Sequence, residues 1–340
     1  MGRATQPVTR RGALRIMAAA AAGLPLLIAG VRAAAPSPRF FTWQGEVLGA
    51  AAELTLWHAD ASLAGRTIRK VRHEIERHEA IFSLYRDSEI VRLNRAGVLA
   101  RPSAAIVSVI DASQDLGRLS NGAFDITVQP LWRTYEAHFW SRERVAPDIA
   151  ARAADVAREL VDYRRVQAGA TRISLAPGMA ITLNGIAQGY ITDRVADLLR
   201  NEGFEQAVVG LGEWRALGRH PDGRPWRAAT RAGNIDLADA ALAVSSGAGT
   251  TFEPGGKFHH IFDPATGASA NALAEVAVTA SRAMIADALA TAICVLGEER
   301  AARLLAAYPG AHALITRTDG TTATLGQAAA SLPFGVTSAV

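Results

Sequence analysis

The sequence predicts a mixed α/β protein of the α+β class, built as a single compact domain of mixed sheets flanked by helices. The chain has 340 residues, of which 49% are hydrophobic and 20% charged, so it can bury a full core. Helix-like and strand-like segments alternate from residue 41 onward. No internal repeat, low-complexity tract or long linker interrupts the chain after residue 40. We therefore assign one domain to residues 41–340.

Residues 1–35 have the composition of an export signal rather than of a folded element. This stretch contains no acidic residue and five arginines, at Arg3, Arg10, Arg11, Arg15 and Arg32. An apolar run follows, and Ala33-Ala34-Ala35 has the small side chains of a cleavage site. The pair Arg10-Arg11 favours the twin-arginine route, with an ordinary secretory signal as the alternative. We expect the mature protein to be soluble in the periplasm.

The formal net charge of +4 originates in that leader. Without its five arginines, 31 basic residues face 32 acidic ones, which is a net charge of −1. No Lys/Arg-rich face with interleaved aromatic residues follows, so we exclude nucleic acid as a partner. The one cysteine, Cys294, lies in an apolar stretch and offers neither a disulfide framework nor a lipid acceptor at the leader junction.

The individual elements follow from hydrophobic periodicity and from turn residues. Helices are predicted over residues 63–83, 104–119, 190–202 and 284–296, and strands over residues 46–57, 173–184, 205–212 and 275–281. The second helix ends before Asn121-Gly122, and the third ends at Gly203, where glycine supplies a left-handed cap.

Three familiar motifs fail when their spacing is checked. The segment "GLGEWRALG" has Arg215 where a dinucleotide fingerprint needs its third glycine, and "GAGTTFEPGGKF" lacks the first glycine of a P-loop. In "HEIERH", His73 and His78 lie about 140° apart around a helix, where two zinc ligands do not converge. We expect both histidines on a solvated helix face, and no order of Ser, His and Asp supports a hydrolase triad.

A single charge interrupts the apolar segment "MIADALATAICVL", residues 284–296. That charge is Asp287. An unpaired buried carboxylate costs several kcal/mol or more, so the chain must supply a partner. A hydrogen bond to the preceding turn and an ion pair with an arginine such as Arg282 are the structural alternatives to a functional partner.

Four segments concentrate Gly, Asp, Asn, Ser and His beyond what turns require. They are "FSLYRDSEIVRLN" (82–94), "NGAFDITVQPLW" (121–132), "ITLNGIAQGYITD" (181–193) and "SSGAGTTFEPGGKFHHIFDPATG" (245–267). With the "ADALATA" of the Asp287 segment, and in this order, the chain resembles the ApbE family of FAD:protein FMN transferases over nearly everything after residue 41. The resemblance implies an exported enzyme that cleaves FAD at its pyrophosphate, leaves FMN on a Thr or Ser hydroxyl of a target protein and releases AMP.

The resemblance also implies a magnesium site and a catalytic base. Asp287 and Thr291 would hold Mg²⁺ together with the backbone carbonyl of Gly185. Asp287 and Thr291 are four residues apart and share one helix face, which presents two oxygen ligands to a hard cation. His260 would accept the proton of the target hydroxyl, a task that histidine can perform near neutral pH. We expect the adjacent His259 and the later His312 to be ordinary surface or structural residues.

For the flavin, the resemblance implies contacts from eight residues: Leu48, Tyr85, Ala123, Phe124, Asp125, Thr182, Gln188 and Ile261. The chain departs from the usual family pattern at three places. Leu48-Gly49-Ala50 replaces Met-Gly-Thr, Thr182 replaces an acid, and Gln188 replaces a lysine. We expect FAD to fit, with polar contacts that differ from those of other members.

The form "LNGIAQGY" resembles the NosX-like branch linked to nitrous-oxide respiration in denitrification. That branch implies a transient complex with an exported acceptor, a NosR-like membrane flavoprotein, while the mature chain itself has no membrane span. Two other activities remain open at this stage. One is an FAD-binding carrier or chaperone without turnover, and the other is a magnesium-dependent FAD pyrophosphatase that uses water as acceptor.

Overall fold

The structure of the protein, a computed structural model, describes residues 37–140 and 147–326. The predicted export signal at residues 1–35 lies outside the described residues, and so does the end of the predicted domain after residue 326. The α-helices of the described part are α1 Ala61–Phe82, α2 Glu89–Ala96, α3 Ala104–Leu119, α4 Gln129–Trp140, α5 Pro147–Glu159, α6 Ala187–Asn201, α7 Ala283–Leu296 and α8 Glu298–Ala306.

The strands alternate with these helices along the chain. In order, they are β1 Arg39–Val47, β2 Ala50–His58, β3 Val98–Ala100, β4 Gln167–Ala168, β5 Arg172–Ser174, β6 Ala207–Gly210, β7 Trp214–Leu217, β8 Trp226–Thr230, β9 Gly233–Leu237, β10 Ala241–Ser245, β11 Leu273–Ala280, β12 His312–Arg317 and β13 Thr322–Leu325.

Eight of the strands form one large sheet in the order β1-β2-β6-β7-β10-β11-β12-β13. A three-stranded sheet, β3-β5-β4, and the hairpin β8-β9 complete the described strands. The predicted α+β class is confirmed. Within the described strands, every named pairing is antiparallel, so the predicted sheets are antiparallel rather than mixed.

The two faces of the large sheet bury different partners, because successive side chains of a strand point to opposite faces. Ala207 and Val209 of β6 belong to the main core, together with α6 and α7. Val208, between them, belongs to a second core that contains Trp226 and Leu237 of the β8-β9 hairpin. Helices α6 and α7 therefore cover one face of the sheet, and the hairpin covers the other.

Most of the predicted elements are confirmed. The four predicted helices correspond to α1, α3, α6 and α7, and Gly203 follows α6 with a φ of 88°. The strand predicted over residues 46–57 is wrong at its start, because Leu48 and Gly49 have φ angles of 49° and 82° and form the turn between β1 and β2. Both angles lie in the left-handed region, which ends a strand.

The strand predicted over residues 173–184 is also wrong beyond residue 174. The backbone of Ile181 is paired with a side chain instead of a strand. The side chain of Asn94 accepts from the Ile181 amide at 2.7 Å and donates to the Ile181 carbonyl at 2.8 Å. These two hydrogen bonds satisfy the buried peptide without a ladder, and the segment runs as an irregular connection into α6.

Helix α7 is buried around nearly its whole circumference. It packs against α6, β10 and β11. Its many alanines favour the helix and keep its diameter small enough for close contact with its neighbours. The helix ends where Gly297, with a φ of 72°, donates its amide to the carbonyl of Ile293 at 3.0 Å.

The two histidines of "HEIERH" have different environments. His73 is exposed, as predicted, but His78 is fully buried, so the prediction of a solvated face is wrong for it. The ring of His78 stacks on Phe82 and meets Tyr190 edge-on. Burial lowers the pKa of His78, and its Nδ1 lies 2.8 Å from the carbonyl oxygen of Glu74.

We find no helix across residues 37–140 and 147–326 with the length and apolarity that crossing a membrane requires.

Candidate active site between helices α6 and α7

Asp287 lies on the side of α7 that faces α6. Its side chain is 3% exposed, and its Oδ2 accepts a hydrogen bond of 3.0 Å from the amide of Gly189. Gly189 belongs to the first turn of α6, where amides have no partner within the helix. Arg282, one of the partners considered from the sequence, places its guanidinium against Asp193 at 3.2 Å and Asp197 at 3.1 Å.

Thr291 and Gly185 lie next to each other, although they belong to different segments. A Cβ built on Gly185 would lie 3.1 Å from the Thr291 hydroxyl oxygen and 3.4 Å from the ring of Phe124. The hydroxyl of Ser245, at the end of β10, is 3.3 Å from the Thr291 hydroxyl. Since Thr291 follows Asp287 by one helical turn, the structure brings the three predicted metal ligands to one junction.

The chemistry of this junction suits a magnesium ion. Asp287 offers a carboxylate, Thr291 a hydroxyl and Gly185 a backbone carbonyl, all of which are hard oxygen ligands. No group of three or more His, Cys, Asp or Glu side chains in the described residues could hold a metal ion. A cation at this junction would thus rely on one carboxylate, neutral oxygens and substrate phosphates, which is how Mg²⁺ is commonly bound.

His260 is half-buried and is fixed by the backbone of Thr250. Its Nδ1 and its own amide nitrogen both lie 3.1 Å from the Thr250 carbonyl oxygen. A carbonyl can only accept, so Nδ1 carries the ring proton in the neutral form and Nε2 becomes the basic nitrogen. The ring therefore has the tautomer that a general base requires.

The neighbouring histidine serves the backbone. His259 is 3% exposed, burial lowers its pKa, and its Nδ1 accepts from the amide of Ile261 at 3.3 Å. Its own amide donates to the hydroxyl of Ser269 at 2.8 Å. His312 is also buried, at 7% exposure in β12. Both histidines are therefore buried, and neither is a surface residue.

The segment that carries His260 is anchored by aromatic side chains of α4. Tyr135 donates its hydroxyl to the carbonyl of Gly267 at 3.1 Å, and Trp140 donates its indole N–H to the carbonyl of Phe252 at 3.2 Å. Phe252 and Phe262 form a small core with α4 that is separate from the main core. The position of His260 therefore depends on α4 as well as on the main core, to which the next residue, Ile261, belongs.

Two of the predicted flavin residues, Leu48 and Tyr85, lie at or beside the β1-β2 turn. Tyr85 is 72% exposed, and its ring would lie 3.8 Å from a Cβ on Gly49, the residue after Leu48. The amide of Leu48 donates to Glu79 at 3.0 Å, and Glu79 also pairs with Arg86 at 3.0 Å. An exposed ring beside a fixed turn could cover a planar ligand.

The predicted flavin residues Ala123, Phe124 and Asp125 lie in the connection between α3 and α4. Phe124 is buried beside Gly185, whereas Ala123 is partly buried. The Asp125 carboxylate accepts from the Thr127 amide and hydroxyl and from the Tyr163 amide, at 2.5 to 2.9 Å. Burial raises the pKa of Asp125. These contacts give Asp125 a role in shaping the turn.

Gln188 and Thr182 occupy two of the positions that depart from the family pattern. Gln188 is 6% exposed, its Nε2 lies 3.5 Å from the Val47 carbonyl, and a Cβ on Gly212 would come within 2.7 Å of it. The side chain thus links α6 to β1 and to the β6-β7 turn. Thr182 is partly exposed and its hydroxyl accepts from the Asn184 amide at 3.3 Å.

Sequence reasoning missed two residues that contact the predicted ligands or their helix. Ser245 touches Thr291, and Asp193 accepts from the first amides of α7. Both lie inside segments that the sequence had singled out, but a hydroxyl or a carboxylate in such a segment does not reveal its partner.

Two surface depressions of about 550 and 600 Å³, beside α3 and beside the end of α6, contain none of the predicted site residues.

Comparisons with known proteins cover most of the chain. The sequence matches the family model described as "ApbE family" over residues 48–315. It is 30% identical to an FAD:protein FMN transferase of Vibrio cholerae over 276 residues, which make up 77% of this chain and 81% of that protein. It is 31% identical to a protein of the same name from Haemophilus influenzae over 277 residues, or 74% and 80% of the two chains.

Solved structures resemble the fold over a similar extent. The flavin transferase ApbE from Vibrio cholerae superposes with a TM-score of 0.71 at 26% identity, covering 85% of this chain and 98% of that chain. The apo form of a Pseudomonas stutzeri flavinyl transferase ApbE gives a TM-score of 0.73 at 26% identity, with coverages of 85% and 95%.

Proposed function

The chain belongs to the ApbE family, and we propose that it is an FAD:protein FMN transferase that works at the junction of α6 and α7. Its relatives from Vibrio cholerae and Haemophilus influenzae carry that name. In its finer form, the proposal is a magnesium-dependent cleavage of the FAD pyrophosphate. FMN is left on a Thr or Ser hydroxyl of an exported flavoprotein, and AMP is released.

The observation that carries the proposal is the meeting of Asp287, Thr291 and Gly185. Asp287 contacts the first turn of α6, and Thr291, one turn further along α7, contacts Gly185 just before α6. These residues would hold magnesium through a carboxylate, a hydroxyl and a backbone carbonyl. Bound there, the ion would neutralise negative charge on the pyrophosphate and on the departing AMP.

The remaining work falls to residues of the chain itself. The target hydroxyl oxygen attacks the phosphorus of the FMN half of FAD, and the P–O bond to the AMP phosphate breaks. The bonding electron pair leaves with AMP. Nε2 of His260 takes the hydroxyl proton, because the Thr250 carbonyl holds the other ring proton on Nδ1. The α4 aromatic side chains keep the His260 segment in place.

The location and the partner are part of the same proposal. The leader at residues 1–35, with its Arg10-Arg11 pair, supports export to the periplasm. An exported acceptor follows from that location, and the "LNGIAQGY" segment supports a NosR-like membrane flavoprotein as that acceptor. A hydroxyl on the acceptor must reach the pyrophosphate, so the acceptor must present it on an accessible loop.

Mass spectrometry separates this proposal from its alternatives. The purified protein is incubated with FAD, magnesium and an acceptor domain. That domain is the part of an exported flavoprotein that normally carries FMN, produced here without the flavin. Covalent FMN on one Thr or Ser, with stoichiometric AMP, is the expected result. Free FMN and AMP without an adduct would indicate an FAD pyrophosphatase, and intact bound FAD would indicate a carrier. An acceptor domain with that hydroxyl replaced by Ala is the matched control.

A further inference from the structure

Asp193, which belongs to α6, caps the N-terminus of the neighbouring helix α7. Its Oδ1 accepts from the amide of Ala283 at 2.9 Å, and its Oδ2 accepts from the amide of Met284 at 3.0 Å. The residue before the helix, Arg282, supplies no side-chain cap of its own. The Asp193 side chain is 2% exposed, so the amides of Ala283 and Met284 would lose these buried acceptors without it.

Arg282 holds that carboxylate in place. Its Nε lies 3.2 Å from Oδ2 of Asp193, and its two terminal nitrogens each lie 3.1 Å from the Asp197 carboxylate. The guanidinium thus bridges two successive turns of α6. Asp197 instead pairs with the guanidinium groups of Arg194, Arg200 and Arg282. The carboxylates of Asp193 and Asp197 therefore share the Arg282 guanidinium, but Asp193 also accepts from the first amides of α7.

In the second contact between the two helices, α7 supplies the carboxylate and α6 supplies the amide. Asp287 of α7 accepts from the amide of Gly189 in the first turn of α6. A Cβ on Gly189 would overlap the Ala283 carbonyl and come within 2.7 Å of the Met284 Cα, so the two backbones touch here. Each helix consequently caps the other with a carboxylate, and the contact leaves no room for a side chain.

These contacts form a register between antiparallel segments. Along α7 the contacts advance by four residues, while along α6 and the residues before it they recede by four. The pairs are Asp193 with Ala283, Gly189 with Asp287, and Gly185 with Thr291. Eight helical residues span about 12 Å. A shift of α7 at its start would therefore be transmitted to the ligand pair at the far end.

We propose that Asp193 is a positioning residue of the magnesium site, which sets the position of Asp287 and Thr291 relative to Gly185. Both of its oxygens are occupied by amides of α7, so it acts through the helix and not as a ligand. The inference rests on the proposed function, because it assumes that the Asp287 face binds magnesium. It adds to that function a determinant of metal affinity outside the ligand set.

The test compares Asp193→Ala with the matched control Asp197→Ala, in the full chain with FAD and the acceptor domain. The first readout is the magnesium concentration that gives half-maximal FMN transfer. We expect Asp193→Ala to raise it about tenfold, the lower end of what groups that support metal ligands cost. Saturating magnesium should restore most of the transfer rate. Asp197→Ala should remain close to the parent, because it leaves the α7 amides capped.

The second readout is the rise in melting temperature on adding magnesium and FAD without an acceptor, which does not depend on turnover. It should shrink in Asp193→Ala and recover in part in Asp193→Asn, whose side-chain carbonyl can still accept from one amide. If Asp193→Ala does not fold, Asp193→Asn decides the question by the same two readouts.

Three outcomes would overturn the inference. One is a variant that melts earlier than the parent in chelator yet keeps the parent's half-maximal magnesium concentration, which would make Asp193 a structural residue only. Another is an equal effect of Asp197→Ala, which would assign the effect to the ion pairs with Arg282. A parent protein without any response to magnesium would remove the proposed function itself, and this inference with it.

Discussion

At the scale of single residues, His260 has the most direct role in the proposed chemistry. Its Nδ1 is tied to the Thr250 carbonyl at 3.1 Å, which leaves Nε2 as the nitrogen that takes a proton. His259, next to it, is buried and bound to the backbone. Of the two adjacent histidines, His260 thus has the tautomer that the proposed general base needs, and His259 supports the loop.

His260→Ala should therefore affect chemistry more than binding. We expect the FMN transfer rate to fall by on the order of 10²-fold or more, the usual range for a lost general base, with FAD affinity unchanged. Transfer kinetics and FAD fluorescence titration measure the two quantities. His73→Ala, at an exposed histidine of α1, is the control. An equal loss of FAD affinity would show that His260 binds or supports the flavin instead.

The sequence identifies Asp287 as a buried carboxylate that needs a partner, but it does not identify the backbone amide that donates to it. The Gly189 amide lies 98 residues away along the chain. An amide donor is present at every residue except proline, so no residue type marks the one that is used. Arg282 could be suspected from proximity in sequence, yet its guanidinium is directed to Asp193 and Asp197.

At the scale of elements, helix periodicity was a reliable guide and strand patterns were less so. Apolar spacing predicts α1, α3 and α6 because a helix repeats locally. The β1-β2 hairpin was missed because Leu48 adopts a φ of 49°, a conformation that leucine rarely takes. The false strand near Ile181 has an apolar pattern, but Asn94 satisfies its backbone from another segment.

The contact between α6 and α7 gives a prediction at this scale. Gly189→Ala places a Cβ against the Ala283 carbonyl, so the helices must separate. Overpacking of this kind typically costs about 1 to 3 kcal/mol of unfolding free energy. Transfer should fall as well, since the same contact holds Asp287. Urea denaturation and the transfer assay measure both effects.

Gly65→Ala is the matched control for that experiment. Gly65 lies within α1, and a Cβ there would meet nothing closer than an Arg69 nitrogen at 3.9 Å. Alanine should stabilise this helix by roughly 0.5 to 1 kcal/mol, because glycine loses more backbone freedom on folding. A Gly189→Ala variant as stable and as active as the parent would mean that α6 and α7 do not approach as closely as described.

At the scale of the whole molecule, the leader and the folded body make separate contributions. The predicted signal at residues 1–35 lies outside the described residues, and in the proposal it determines where the protein works. The body brings together segments that are far apart in sequence, from Val47 to Thr291, around two helices. Such convergence could be expected from the family resemblance, whereas the distances and the register between α6 and α7 needed the structure.

Replacing Arg10 and Arg11 with lysine tests the export route. If the twin-arginine route is used, the folded precursor should accumulate in the cytoplasm, because that route depends on the arginine pair. Cell fractionation followed by an FMN transfer assay on each fraction measures the outcome. Normal export of the double variant would assign the leader to the general secretory route and leave the enzyme assignment untouched.

Asp287→Asn, assayed with and without magnesium, tests the central claim most directly. Asparagine can still accept from the Gly189 amide through its side-chain carbonyl, but it lacks the negative charge that holds a hard cation. We expect near-parental melting in chelator, loss of the stabilisation by magnesium with FAD, and at least the roughly 10- to 100-fold drop in transfer that loss of a supporting group costs a metal site. Asp197→Asn, also paired with Arg282, should transfer normally. A protein destabilised in chelator by about 1 to 5 kcal/mol that transfers FMN normally when folded would show that Asp287 is a structural residue and contradict the account.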